Sequence, residues 1–268
     1  MLLRIVSRIK RIFRPCELDD ILLEQKYMKE KLSLLLNMLS NRDQMSDVRW
    51  LMENREERMD ASLPLFDEGR RLFHLARYDF ASSYVAGGTV ADIACGTGYG
   101  SRILSEKGNA LHVVGVDASE GAIHYAERHH SLQGIEYRVA SGETTDLISN
   151  EFDLVVSFET IEHVDDERSL VREFSRLLKP GGVLICSVPN CWPLEKTPHH
   201  VKEYDFTSFC TLLSEFFDVE KVFNQNSGCA LEFNRGQPAG IIETTDENKS
   251  LAECFLAVCR KRSECDAL

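Results

Sequence analysis

The stretch Thr89-Val90-Ala91-Asp92-Ile93-Ala94-Cys95-Gly96-Thr97-Gly98-Tyr99-Gly100-Ser101, followed by Leu111-His112-Val113-Val114-Gly115-Val116-Asp117, decides the fold of this 268-residue chain. An apolar run enters a glycine-rich turn, a helix-compatible segment follows, and a second apolar run closes on a carboxylate. This is the strand, loop, helix, strand, acid layout of a nucleoside-binding α/β unit. Gly96 and Gly98 let the backbone turn sharply and approach a ligand, while the helix beginning near Tyr99 offers free N–H groups to a negative group. Asp117, about 20 residues past the glycines, is placed to accept hydrogen bonds from both ribose hydroxyls. The dinucleotide fingerprint G-x-G-x-x-G does not fit, because counting from Gly96 puts Ser101 at the third glycine position. A shorter D-x-x-x-G-x-G reading, from Asp92 to Gly98, fits without exception.

Further motifs follow in order. Phe152-Asp153-Leu154-Val155-Val156-Ser157-Phe158 reads as a central strand buried on both faces and runs into Glu159-Thr160-Ile161-Glu162-His163-Val164, so its carboxyl end puts Phe158, Glu159, Glu162 and His163 beside the ligand. Asp166 to Lys179 reads as a helix with Leu170, Phe174, Leu177 and Leu178 on one face, and Lys179-Pro180-Gly181-Gly182 ends it and feeds a strand from Val183 to Val188. With the glycine loop and Asp117, these segments resemble a class I S-adenosylmethionine-dependent methyltransferase over residues 65 to 260. The resemblance implies an α/β fold with a doubly wound, mostly parallel, seven-stranded sheet. It implies S-adenosyl-L-methionine as cofactor, with Asp92, Ala94, Gly96, Gly98, Asp117, Ala118, Gly142, Glu143 and Phe158 as the residues that hold it. Glu143, in the loop after the strand Ile135 to Val139, matches the position that faces the adenine amino group, where Asp is commoner; Asp146 competes for that role.

Glu162-His163-Val164 is similar to the E-H-V triplet of small-molecule O-methyltransferases, which makes His163 a candidate general base. The sulfonium donor is already activated, so alignment is the larger effect and a positioned base adds on the order of 10²–10⁴-fold. Histidine titrates near neutrality and suits the task. Pro198-His199-His200-Val201-Lys202-Glu203-Tyr204 is similar to a stretch of methyltransferases of surface-polysaccharide biosynthesis, which makes His200 the second candidate, with Trp192 and Tyr204 beside a sugar face. No acidic ligand pattern is seen to accompany the two histidines, and no metal is expected. The resemblance also lets His74, Arg77 and Tyr78 of the helix before the first strand reach the methionine end of the cofactor. The competing reading packs Phe73, Tyr78 and Phe80 inward and leaves Arg77 solvated.

Residues 61–268 are expected to be the catalytic domain and residues 1–60 a helical arm. Arg4, Arg8, Lys10, Arg11 and Arg14 give the first fifteen residues a charge of +5 within a total of −12. Leu2, Leu3, Ile5, Val6, Ile9, Ile12 and Phe13 recur between them at helical spacing, so this helix lies on an anionic membrane surface or docks on the protein's own acidic body. Leu18, Ile21, Gln25, Met28, Leu32, Leu35 and Leu39 make a short coiled-coil pattern across 17–40, read either as a dimerisation element or as a helix packed on the domain. The acidic balance argues against a nucleic-acid binder. Nine cysteines with no C-x-x-C pairing suggest reduced thiols in a cytoplasmic protein, peripheral at the inner membrane face if the arm binds lipid. The expected reaction is methyl transfer to a hydroxyl of a sugar or glycan intermediate. The alternatives are a small-molecule or quinone-like lipid acceptor and, in another class, a non-catalytic adaptor.

Overall fold

The structure is a computed structural model that describes residues 42–55, 58–228, 233 and 235–262, together with the single helical positions 29 and 33. The basic segment 1–15 and nearly all of the heptad segment 17–40 lie outside the described residues. The chain divides into two compact units, residues 1–55 and 56–268. The first contains helix α1 (Arg42–Glu53).

In the second unit, α2 (Glu68–Ser82) leads into β1 (Thr89–Ile93), α3 (Tyr99–Glu106), β2 (His112–Asp117), α4 (Glu120–His129) and β3 (Ile135–Val139). Then come β4 (Phe152–Phe158), a 3₁₀ turn (Ile161–His163), α5 (Glu167–Leu177), β5 (Leu178–Pro189), α6 (Phe206–Ser214), β6 (Phe217–Asn226), β7 (Gly240–Glu243) and β8 (Cys254–Lys261). One sheet holds the strands in the order β3-β2-β1-β4-β5-β8-β6-β7. The strands from β3 to β5 are mutually parallel, and the remaining three pair antiparallel. Parallel strands covered on both faces need continuous apolar runs, and β1, β2 and β4 are such runs.

The sheet has eight strands, not the seven expected. The polar excursion between β6 and β8 contains β7, four residues that pair antiparallel with the end of β6. At the sheet edge three of its residues are exposed and the fourth is half-buried, so it lacks the alternation that marks a strand in sequence. A second difference lies at the start of β5. Leu178 is already extended and pairs with Phe152, with a register shift before Leu154 meets Val183. The Pro180 ring disfavours helix at the preceding residues, so α5 stops two residues short of the expected end.

Two features place the site. The chain order reverses between β1 and β4, whose carboxyl ends lie side by side with Asp92 opposite Val156; ligands collect at such a point in open α/β sheets. Helix α5 fixes the far side of β4, because Leu170, Val171, Phe174 and Leu177 recur at three- and four-residue steps and are fully buried. Asp166 caps it by accepting from the Ser169 N–H. Phe174→Ala should therefore cost about 3–5 kcal/mol of stability in urea unfolding; a cost below about 1 kcal/mol would mean that α5 does not carry this packing.

Candidate active site

The turn after β1 is held from below. Asp92 is wholly buried; its Oδ1 accepts from the Tyr78 hydroxyl at 3.2 Å and its Oδ2 from the Ser101 hydroxyl at 2.6 Å. Burial raises its pKa to about 7 against the opposing pull of those two hydrogen bonds. Asp92 thus ties α2, β1 and α3 together beneath the loop, where its oxygens are already engaged. Above it Ala94, Gly96 and Gly98 take positive φ of 62°, 55° and 84°. A side chain at Gly98 would strike the Ala126 methyl and the Tyr137 hydroxyl, whereas one at Gly96 would enter open space over the loop. That open space is a cradle in which a ligand can approach the backbone.

Asp117 closes the loop from the other side. Its Oδ2 accepts from the Gly96 N–H and its Oδ1 from the Ser119 N–H, both at 2.9 Å, and Arg58 pairs with Oδ1 at 3.5 Å. A carboxylate offers about four acceptor positions, so with three engaged about one remains, on Oδ2, for a further donor such as a hydroxyl. The neighbouring Met59 carbonyl accepts from Thr97 of the loop at 2.9 Å. Asp60, buried, accepts from Tyr125 and lies 2.8 Å from the His130 ring. Residues 58–60 therefore brace the cofactor loop.

Phe158 ends β4 with its ring edge-on to Tyr78 at 4.9 Å. Arg77 is 1% exposed, which overturns the solvated reading: it bonds Gln225 at 3.1 Å, lies over the Phe73 ring and pairs with Glu159 at 3.3 Å. Glu159 sits at φ 51°, a region an ordinary side chain seldom occupies, and is held there by Ser187, which donates to its carboxylate at 2.7 Å and accepts from its N–H.

Beyond it, Glu162, His163 and His200 converge, with ligand-capable atoms all within 4.8 Å of one another. The His163 and His200 rings meet edge-on at 4.7 Å. His163 donates from Nδ1 to the His199 carbonyl at 2.9 Å, which leaves Nε2 as its acceptor. Burial, with the His163 charge second, lowers the His200 pKa to about 4. Burial and then nearby Glu159 push Glu162 well above the usual carboxylate range. The loop bearing His200 is clamped because Val201 N–H and Lys202 N–H both donate to the Glu162 carbonyl. The acid expected to be missing beside the two histidines is thus present.

Other anticipated residues are more scattered. Ala118 is exposed at the end of β2, Gly142 packs closely on Ile93 and Leu170, and Glu143 is half-buried and accepts from Ser141 at 3.2 Å. Asp146 is exposed. Trp192 stacks on Phe233 at 4.3 Å and lies parallel to His200 at 6.2 Å, but Tyr204 is 5% exposed within the core against Phe209, not on a sugar-facing surface. Sequence reasoning missed Arg58 and the reason for Gly100, and it set Glu159 and Glu162 beside the cofactor from their place at the carboxyl end of β4 without giving either a role. A side chain at Gly100 would lie 2.0 Å from the Tyr78 ring, so this glycine is required by helix contact and not by the ligand loop.

Residues 91–186 match the family described as "Methyltransferase domain". The chain is similar to a ubiquinone biosynthesis O-methyltransferase of Ruegeria pomeroyi, 40% identical over 107 residues that cover 39% of this chain and 42% of that one. It is likewise similar to phosphoethanolamine N-methyltransferase 1 of Arabidopsis thaliana, 40% identical over 103 residues, 38% of this chain and 21% of that one. The chain thus spans well under half the length of these relatives. Among solved structures, the complex between the Haloferax volcanii Trm112 methyltransferase activator and a putative methyltransferase shows the same fold, at a TM-score of 0.58 and 17% identity, over 73% of this chain and 94% of that one.

Two outcomes test this geometry. Gly100→Ala should push Tyr78 off Asp92 and cost about 1–3 kcal/mol in urea, while Gly96→Ala should cost about 1–2 kcal/mol from its positive φ alone and leave the Tyr78–Asp92 contact in place. For Asp92, whose pKa rises from 3.8 to about 7 on folding, the folded chain holds a proton across that window that the unfolded chain has lost. Its contribution to stability therefore falls as pH rises. Relative to Asp92→Asn, the native chain should lose stability between about pH 4 and about pH 7, and a constant difference between the two would refute the assignment.

Proposed function

We propose that this chain, whose residues 91–186 are a class I S-adenosylmethionine-dependent methyltransferase domain, transfers the sulfonium methyl group to an oxygen of a small-molecule acceptor. The single observation that carries the acceptor chemistry is the convergence of His163 and His200 on Glu162, beyond the end of β4. The donor needs no further activation; what remains for the protein is to align the acceptor and manage its proton. His163, with Nε2 left free as acceptor, and His200, kept neutral through the physiological range, are groups able to receive it.

On the cofactor side, Asp117 accepts from the ribose, the open backbone at Gly96 receives the methionine end, and Phe158 with Glu143 borders adenine. Ala94 and Ala118 line the same path, while Asp92, Gly98 and Gly142 act by shaping it. A small-molecule acceptor of the phenol or quinol kind is favoured over a glycan for two reasons. The relatives include enzymes named for ubiquinone biosynthesis, and Tyr204, offered for a sugar face, is inside the core. Relatives named for N-methylation match at similar identity, so the preference for oxygen rests on the histidine cluster. Peripheral membrane attachment through residues 1–15 and self-association through 17–40 remain part of the proposal for the arm, and sedimentation of a chain lacking residues 1–40 tests them.

In calorimetry with S-adenosylmethionine, Asp117→Ala should weaken binding at least about tenfold, since hydrogen bonds to a charged acceptor are worth about 1.5–3 kcal/mol each. Unchanged affinity would refute the ribose assignment. With a catechol-type acceptor, His163→Ala and His200→Ala should lower kcat by about 10²–10⁴-fold and leave cofactor affinity unchanged; full activity in both would remove the cluster from the chemistry.

A further inference from the structure

Glu162 is anomalous. Its side chain is 1% exposed, and neither carboxylate oxygen has a hydrogen-bond partner. Burying such a group without partners costs free energy and is retained where something else satisfies it. Its Oε1 lies 3.9 Å from His163 Nε2, and its ligand atoms and those of His163 and His200 fall within 4.8 Å of one another. We propose that Glu162, His163 and His200 form a binding site for a divalent transition-metal cation.

The surroundings fit that role. A histidine ligand typically donates its other ring N–H to a carbonyl or carboxylate, which fixes the tautomer and aims the free nitrogen. His163 does this with the His199 carbonyl at 2.9 Å. The pair of N–H groups at Val201 and Lys202 that donate to the Glu162 carbonyl fixes the His200 loop to the turn bearing the other two ligands. Metal–nitrogen and metal–oxygen bonds of about 2.0–2.2 Å place adjacent ligands about 3 Å apart, so closure requires the side chains to draw in by roughly 1 Å. Two imidazoles and one carboxylate select zinc, manganese, iron or cobalt over calcium or magnesium, and leave coordination positions open.

This inference rests on the methyl-transfer reading for its chemistry but not for its test, and where the ion is bound it replaces the proton-accepting role of His163 and His200. Imidazole nitrogens that hold a cation cannot also take a proton. In the loaded chain the acceptor hydroxyl would bind an open position, lose its proton to solvent at lower pH than in water, and attack as the oxyanion; the O–CH₃ bond forms as the S–CH₃ bond breaks, and the electron pair stays on sulfur. Asp117 and the glycine loop take no part in holding the ion.

The test uses the full chain after chelator treatment, titrated with Mn²⁺, Zn²⁺ and Co²⁺ alone. Mn²⁺ largely ignores the cysteines, and Co²⁺ reports its ligands by absorption. One equivalent should bind, weakened at least about tenfold in Glu162→Gln and in His200→Gln, with a Co²⁺ spectrum free of thiolate bands. S-adenosylmethionine affinity and far-ultraviolet circular dichroism should be unaltered in both variants, which separates loss of the ion from loss of the fold or of the cofactor site. Absence of stoichiometric binding by the folded chain overturns the proposal, as does binding that both variants retain.

Discussion

The loop geometry depends on one buried carboxyl group. Asp92 lies where β1 ends, and its two oxygens meet one hydroxyl from α2 and one from α3. Neither hydrogen bond could be replaced by water, because the group has no exposure. The low-dielectric setting makes those bonds strong and makes their loss costly, so the helix before the sheet and the helix after the loop are held in register by a single side chain. Gly100 completes the arrangement by giving the Tyr78 ring room to reach Asp92.

From that anchor the structure builds outward in two directions. Toward β2, the Gly96 N–H is oriented by Asp117, and residues 58–60 press on the loop from outside the sheet. Toward β5 and β6, the same helix α2 carries Arg77 inward to Gln225 and Glu159. The positive φ of Glu159 is a local strain of about 1–3 kcal/mol. It is offset by Ser187 and Arg77, and its effect is to turn the chain at the end of β4 so that Glu162 and His163 face the loop of His200.

Periodicity and glycine spacing made the parallel half legible. The limits of β4 agree with the run Phe152–Phe158, because a strand buried on both faces admits little but apolar residues, and those of β3, an edge strand, with the alternating run Ile135–Val139. β7 was not legible, since a four-residue edge strand with exposed side chains carries no such constraint. On the ligand side, Gly96, Gly98 and Asp117 belong to a local motif and were visible. Arg58 and Glu159 act through partners 59 and 28 residues away, and no local pattern announces such pairs. Glu162 was placed beside the cofactor by its position after β4, but its burial without a partner is revealed only by tertiary packing.

The Arg58 contact with Asp117 gives ligand capture the character of an exchange. A carboxylate waiting at the mouth of a binding site would otherwise repel anions and bind stray cations. Here Arg58 serves as resident counter-ion, 3.5 Å from Oδ1. On the proposed reading, an arriving ribose would compete with a neighbour whose local concentration is set by the chain itself. Its affinity would then be the difference between two attractions to one oxygen, and the strength of that tether would set how readily the site releases what it has used.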